Sequence, residues 1–123
     1  MQTSVFTTEK QKTQSMIASP SLYSIDIIDL KFPVNLLSYL VHNIEKHVLL
    51  HLQKAWRNKE KIQKINIHLY CGQKKRIAVL EIQPDNPSRE FREFSYPIEK
   101  QISQTSLTSP VKKIELEVLR VRN

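Results

Sequence analysis

The sequence predicts an α+β domain of order β-α-β-β-α-β, with a four-stranded antiparallel sheet carrying both helices on one face. Three observations predict it. Residues 34–57 repeat apolar side chains at helical spacing, through Leu37, Val41, Ile44, Val48, Leu52 and Ala55. Residues 62–71 and 111–121 alternate instead, with Ile65, Ile67 and Leu69, then Ile114, Leu116 and Val118, on one face and polar residues on the other. A turn cluster, Gln83 to Ser88, separates a hairpin from a second helical repeat.

Each element follows in order. Residues 1–21 are dominated by Thr, Ser, Gln and Lys without apolar period and read as a flexible polar arm, so the domain is expected over 22–123. Residues 22–32, rich in Ile, Leu and aromatics with rough alternation, predict the first strand, which Pro33 should end. The long amphipathic helix follows over 34–57. The second strand covers 62–71, with Lys64, Asn66, His68 and Tyr70 on its open face. Gly72, the only glycine, marks a short Gly72–Gln73 turn into a third strand over 74–82, because a lone glycine is usually demanded by the backbone. Ser88 is a candidate cap for a second helix marked by Phe91, Phe94, Ile98 and Ile102. Pro97 removes a backbone donor there and predicts a kink or a helix in two pieces. The final strand covers 111–121. This order is the split βαβ, ferredoxin-like arrangement.

The bounds exclude several function classes. At 123 residues, with 40% hydrophobic and 25% charged residues, the chain should fold around one core. A single cysteine, Cys71, forms no internal disulfide and fits a reducing, cytoplasmic compartment. Neither a signal-peptide pattern nor a membrane-length apolar run is visible. Phosphate-loop, dinucleotide and nucleophile-elbow motifs are all missing. The third strand also lacks the aromatics on which an RNA-recognition sheet stacks bases.

The formal charge of +7 is confined to residues 54–76. There Lys54, Arg57, Lys59, Lys61, Lys64, Lys74, Lys75 and Arg76 oppose Glu60 alone, and the remainder sums to zero. Such a block is the footprint of a phosphate-binding surface; a solvated helix end followed by a lysine-rich turn would give the same count. Asp26, Glu115 and Glu117 place acid on or near the sheet, which restricts the expected contact to one sheet edge rather than the whole open face.

A resemblance adds identity to this surface. The runs SIDIIDLKFPVNLLSYLVHNIEKHVLLHL, KIQKINIHLYCGQKKRIAVLEIQPDNPSREF and SPVKKIELEVLRV resemble the little-finger domain of Y-family DNA polymerases over about residues 22–121. The likeness is greatest to the ImuB-like, catalytically inactive type. Phe32-Pro33-Val34 before the long helix, Pro84-Asp85-Asn86-Pro87 after the hairpin, and Ser109-Pro110-Val111 before the last strand carry it. The resemblance implies a non-catalytic accessory module of DNA repair or translesion synthesis, lying beside duplex DNA and touching its phosphates. Its DNA-binding candidates are Lys74, Lys75 and Arg76, with Lys61 and Lys64, then Lys59 and Arg57. A separate polymerase subunit would supply catalysis, and no cofactor, membrane or small-molecule substrate is implied. The alternative is a protein-interaction module docking on a repair or replication protein.

The remaining motifs are weighed singly. Gln2-Thr3-Ser4-Val5-Phe6 is similar to the pentapeptide by which bacterial repair polymerases grip the sliding clamp, with Gln2, Val5 and Phe6 as the contacts. His47 and His51 stand one helical turn apart, but with no third ligand they read as packed or boundary histidines rather than a metal site. Cys71 should point to the core and stay inert. Trp56 is expected to pack in the core or make a rim contact beside Arg57 rather than to stack on a base.

Overall fold

A computed structural model describes residues 22–72 and 74–122. The predicted arm, with Gln2, Val5 and Phe6, lies outside the described residues. The elements are β1 (Leu22–Val34), α1 (Leu37–Arg57), β2 (Glu60–Tyr70), β3 (Arg76–Ile82), α2 (Arg92–Ser103) and β4 (Val111–Arg122). The predicted α+β, split βαβ order is therefore what the chain adopts. The sheet runs β1-β4-β2-β3 with every neighbouring pair antiparallel. Each βαβ unit is thus split by a strand of the other: β4 lies between β1 and β2, and β2 between β3 and β4.

Both helices cover the same face. Leu40, Ile44, Val48, Leu52 and Ala55 of α1, and Phe94, Ile98 and Ile102 of α2, are buried against Ile65, Ile67, Leu69, Leu80, Ile114 and Leu116 of the sheet. Burying a side chain of this size stabilises by about 1.5–3 kcal/mol, so this layer carries most of the fold. Among the described residues no helix is long and apolar enough to cross a membrane.

The boundaries differ from expectation where backbone pairing overrides local signals. β1 runs through Pro33 to Val34, because the ladder to β4 is interrupted between Asp29 and Val34 on an edge strand, where a missing N–H costs no bond. Helix α1 consequently starts at Leu37. Ser88 does not cap α2: its backbone exchanges two 2.9 Å hydrogen bonds with Ile62, and its hydroxyl accepts from the Glu90 amide. Helix α2 starts at Arg92 and runs unbroken through Pro97 rather than in two pieces. The bond that Pro97 cannot donate would have gone to the carbonyl of Glu93, an exposed first-turn residue that water reaches.

The hairpin is longer than a two-residue turn. β3 begins only at Arg76, and the Cys71 amide closes the connection by donating to the Lys75 carbonyl at 3.0 Å. Gly72 has no positive φ, and a Cβ there would meet nothing within 4 Å, so the backbone does not require glycine. Cys71 lies past the end of β2 and is half-buried rather than in the core. Strand β2 has one irregularity in its pairing with β4, which slips between Ile62 and Lys64 and makes Gln63 a bulge.

Candidate nucleic-acid interface

Strand β2 separates the predicted basic residues into two groups. It runs eleven residues from Glu60 to Tyr70, so its ends lie about 33 Å apart at the usual rise per residue. Arg57, Lys59 and Lys61 fall at its start, beside the C-terminus of α1; Lys74, Lys75 and Arg76 fall beyond its end. The single edge contact expected from the sequence is therefore two clusters at opposite ends of the sheet. A charge block contiguous in sequence was stretched by the strand running through it.

At the hairpin end, the register adds cations from other strands. Tyr70 pairs with both Arg76 of β3 and Lys113 of β4, and Lys113 pairs with Asp29 of β1. The Lys113 ammonium stands 4.4 Å from the centre of the Tyr70 ring. Lys112 donates to the carbonyls of Leu30 and Lys31, tying β4 to the edge strand. Lys74, Lys75 and Arg76 are exposed, and among the described residues no carboxylate pairs with any of them.

At the α1 end, several cations are structural. Glu60 is buried, and its carboxylate accepts from the Arg120 guanidinium at 3.1 Å, while the same guanidinium donates to the Ser24 hydroxyl at 2.7 Å. Arg89 donates from Nε to the Glu60 carbonyl at 2.7 Å and lies 4.8 Å from the centre of the Trp56 ring. Arg57 and Lys59 are exposed. Lys64, midway, is taken by Glu81 at 2.5 Å. Of the predicted DNA contacts, Lys64 is thus the one already neutralised.

Between the clusters, the open face is neither basic nor uniformly polar. Tyr23, Ile25 and Ile27 form an exposed stripe along β1, beside Glu115 and Glu117 of β4. Glu117 accepts hydrogen bonds from the Tyr23 hydroxyl and from His68 Nε2. Burial works to raise the Glu117 carboxyl, but the bonds from Tyr23 and His68 outweigh it and hold the group below its usual range. Burial, then the bond to Glu117, raises the Tyr23 hydroxyl and keeps it protonated. Arg76 donates to His68 Nδ1 at 3.2 Å, which requires the lone pair of a neutral ring.

His68, Glu115 and Glu117 bring potential metal ligands within 4.8 Å of one another. The Arg76 guanidinium on the same histidine competes with any second cation, so the group acts as a hydrogen-bonded network. Sequence reasoning missed it because cross-strand register, which sets His68 opposite Glu115, has no local signal. Asp26, expected on or near the sheet, is on its helix side and accepts from His51 Nε2 at 2.5 Å. His47 bonds instead to the Asn43 carbonyl of its own helix at 2.9 Å, so the two histidines share no ligand. Trp56 is not in the core: 58% of it is exposed.

An apolar hollow of about 670 Å³ lies where β1 meets α1, with Phe32, Leu36 and Tyr39 exposed around it. No family model matches the chain, and no curated protein matches it.

Proposed function

We propose that this chain is a non-catalytic accessory module that binds duplex DNA through its phosphate backbone, in the manner its resemblance to little-finger domains implies. The observation that carries the reading is the hairpin-end cluster. Lys74 and Lys75 of the hairpin connection and Arg76 at the start of β3 stand exposed at the end of the ladders that join β2 to β3 and β4. Three exposed cations that pair with no carboxylate among the described residues, at the end of a paired sheet, suit positioning on phosphates rather than base reading. The Glu115 and Glu117 pair argues against contact across the open face. Repair or translesion synthesis is the context the resemblance suggests, with a separate polymerase subunit or a sliding clamp as partner.

Anisotropy of a labelled duplex tests this. Affinity should fall with salt at a log–log slope of about −0.9 per phosphate contact. A flat response at low ionic strength would sink the reading.

A second reading, docking on a repair or replication protein, is favoured by the hollow rimmed with Phe32, Leu36 and Tyr39. It expects Phe32→Asp to abolish partner pull-down while charge reversal at Lys74, Lys75 and Arg76 leaves it intact.

A further inference from the structure

We propose that Trp56 is a stacking platform for an unpaired nucleobase, and that the cations around it hold the phosphates of a single strand. This rests on the nucleic-acid reading above and extends it from duplex to single strand.

The ring is displayed rather than buried. Trp56 sits in the last turn of α1, whose buried side is taken by Leu52 and Ala55, and 58% of it is exposed. One face is covered by the Arg89 guanidinium, 4.8 Å from the ring centre. Arg89 is itself fixed, by its bond to the Glu60 carbonyl and by the paired backbones of Ile62 and Ser88 one residue before it. The indole is thereby backed by a held cation while more than half of the residue faces solvent.

The surrounding charge suits a phosphate chain. Arg57 adjoins the ring in sequence, and the Lys59 amide donates to the Trp56 carbonyl at 3.4 Å, which keeps the backbone of Lys59 at the same helix end. Lys61 follows at the start of β2. The nearest carboxylate in sequence, that of Glu60, is buried and paired with Arg120, which leaves Glu90 as the exposed acid on the Arg89 loop. Every nucleobase offers a π-face, so stacking on such a ring is tolerant of sequence, and flanking cations neutralise the backbone. A base inside a duplex has both faces covered by its neighbours. The ring cannot reach a base inside a duplex and is suited to an unpaired base. With duplex phosphates at the hairpin end, the ligand class is a duplex carrying a single-stranded extension.

Trp56 is the only tryptophan, so its emission reports this site alone. The full chain is titrated with a short oligodeoxythymidylate and with an abasic oligomer of equal length and charge. Quenching by the thymidylate, absent with the abasic strand and weakened by salt, is expected. In anisotropy with labelled thymidylate, Trp56→Ala should lose about tenfold in affinity and Trp56→Phe about threefold or less. Equal quenching by both oligomers, no quenching at low salt, or unchanged binding by Trp56→Ala overturns the proposal. The chain with Lys74, Lys75 and Arg76 reversed to Glu separates the two readings. Lost duplex binding with quenching kept supports both sites, whereas duplex binding by the native chain without quenching overturns this one alone.

Discussion

At the hairpin end, Lys74 and Lys75 project from the connection and Arg76 opens β3, bonded to His68 but to no carboxylate among the described residues, whereas at the α1 end Arg89 and Arg120 are bonded into the frame around Glu60. Both ends count equally as basic in a sum of charges. They differ in what the cations cost to remove. A guanidinium that neutralises a buried carboxylate belongs to folding; one facing water is available to a ligand.

The largest effect should come from Arg120→Met, which leaves the Glu60 carboxylate buried without its partner. Urea denaturation is expected to show a loss of about 3–5 kcal/mol. Exposed Arg57→Gln should stay within about 0.5 kcal/mol. Similar small losses for both would erase the distinction between framework and surface cations.

Next comes Lys74, Lys75 and Arg76 reversed together to Glu. The salt slope of duplex binding should become shallower by about 3, with the urea midpoint nearly unchanged. A collapse in stability would show these residues to be structural after all.

The helix layer offers a control independent of either cluster. Burial, then its bond to Glu99, pushes the Glu45 carboxyl up to about 7 from 4.5. The folded chain therefore keeps a proton that the unfolded chain releases, and this contribution, complete below about pH 4.5, is lost as pH rises through about 7. The urea midpoint should fall from roughly pH 5 to pH 8, and Glu45→Gln should flatten that fall. An unchanged pH profile in the variant would assign the fall elsewhere.

The smallest effect is the most selective. Lys59 holds a φ of 57°, which costs a non-glycine residue, so Lys59→Gly should gain roughly 0.5 kcal/mol. The same change removes a cation beside Trp56 and should make the single-strand salt slope shallower by about 0.7. Stability and binding moving in opposite directions would sharpen the contrast between the ends; a slope left unchanged would remove Lys59 from the site.

The elements were legible because each carries its period locally. Ile65, Ile67 and Leu69 announce a strand with one buried face, and Ile44, Val48 and Leu52 a helix, whatever lies around them. Leu40 escaped that pattern, and His51, expected as a packed or boundary residue, had no partner visible in it. Leu40 lies one residue off the expected stripe, and His51 is buried because Asp26, on an edge strand far away in sequence, supplies its partner. The site was half legible for the same reason. Lys74, Lys75 and Arg76 are neighbours in sequence and remain so in space. That Lys64 is spent on Glu81, and that Arg120 and Arg89 gather around Glu60, follows from strand register and a loop bridge. Ser88 shows the competition directly: its hydroxyl suits a helix cap, but its backbone is engaged by Ile62.

The bulge at Gln63 makes the chain unequally tolerant of two kinds of genetic change. Because it adds one residue, Ile62 and Ile65 both turn inward although three apart, and Glu60 faces Arg120. A substitution at Gln63 leaves that phase intact. Deleting the codon would rotate everything before it to the opposite face, expelling Ile62, separating Glu60 from Arg120 and releasing the loop that carries Arg89. The side chain at this position is replaceable, whereas the residue count is not.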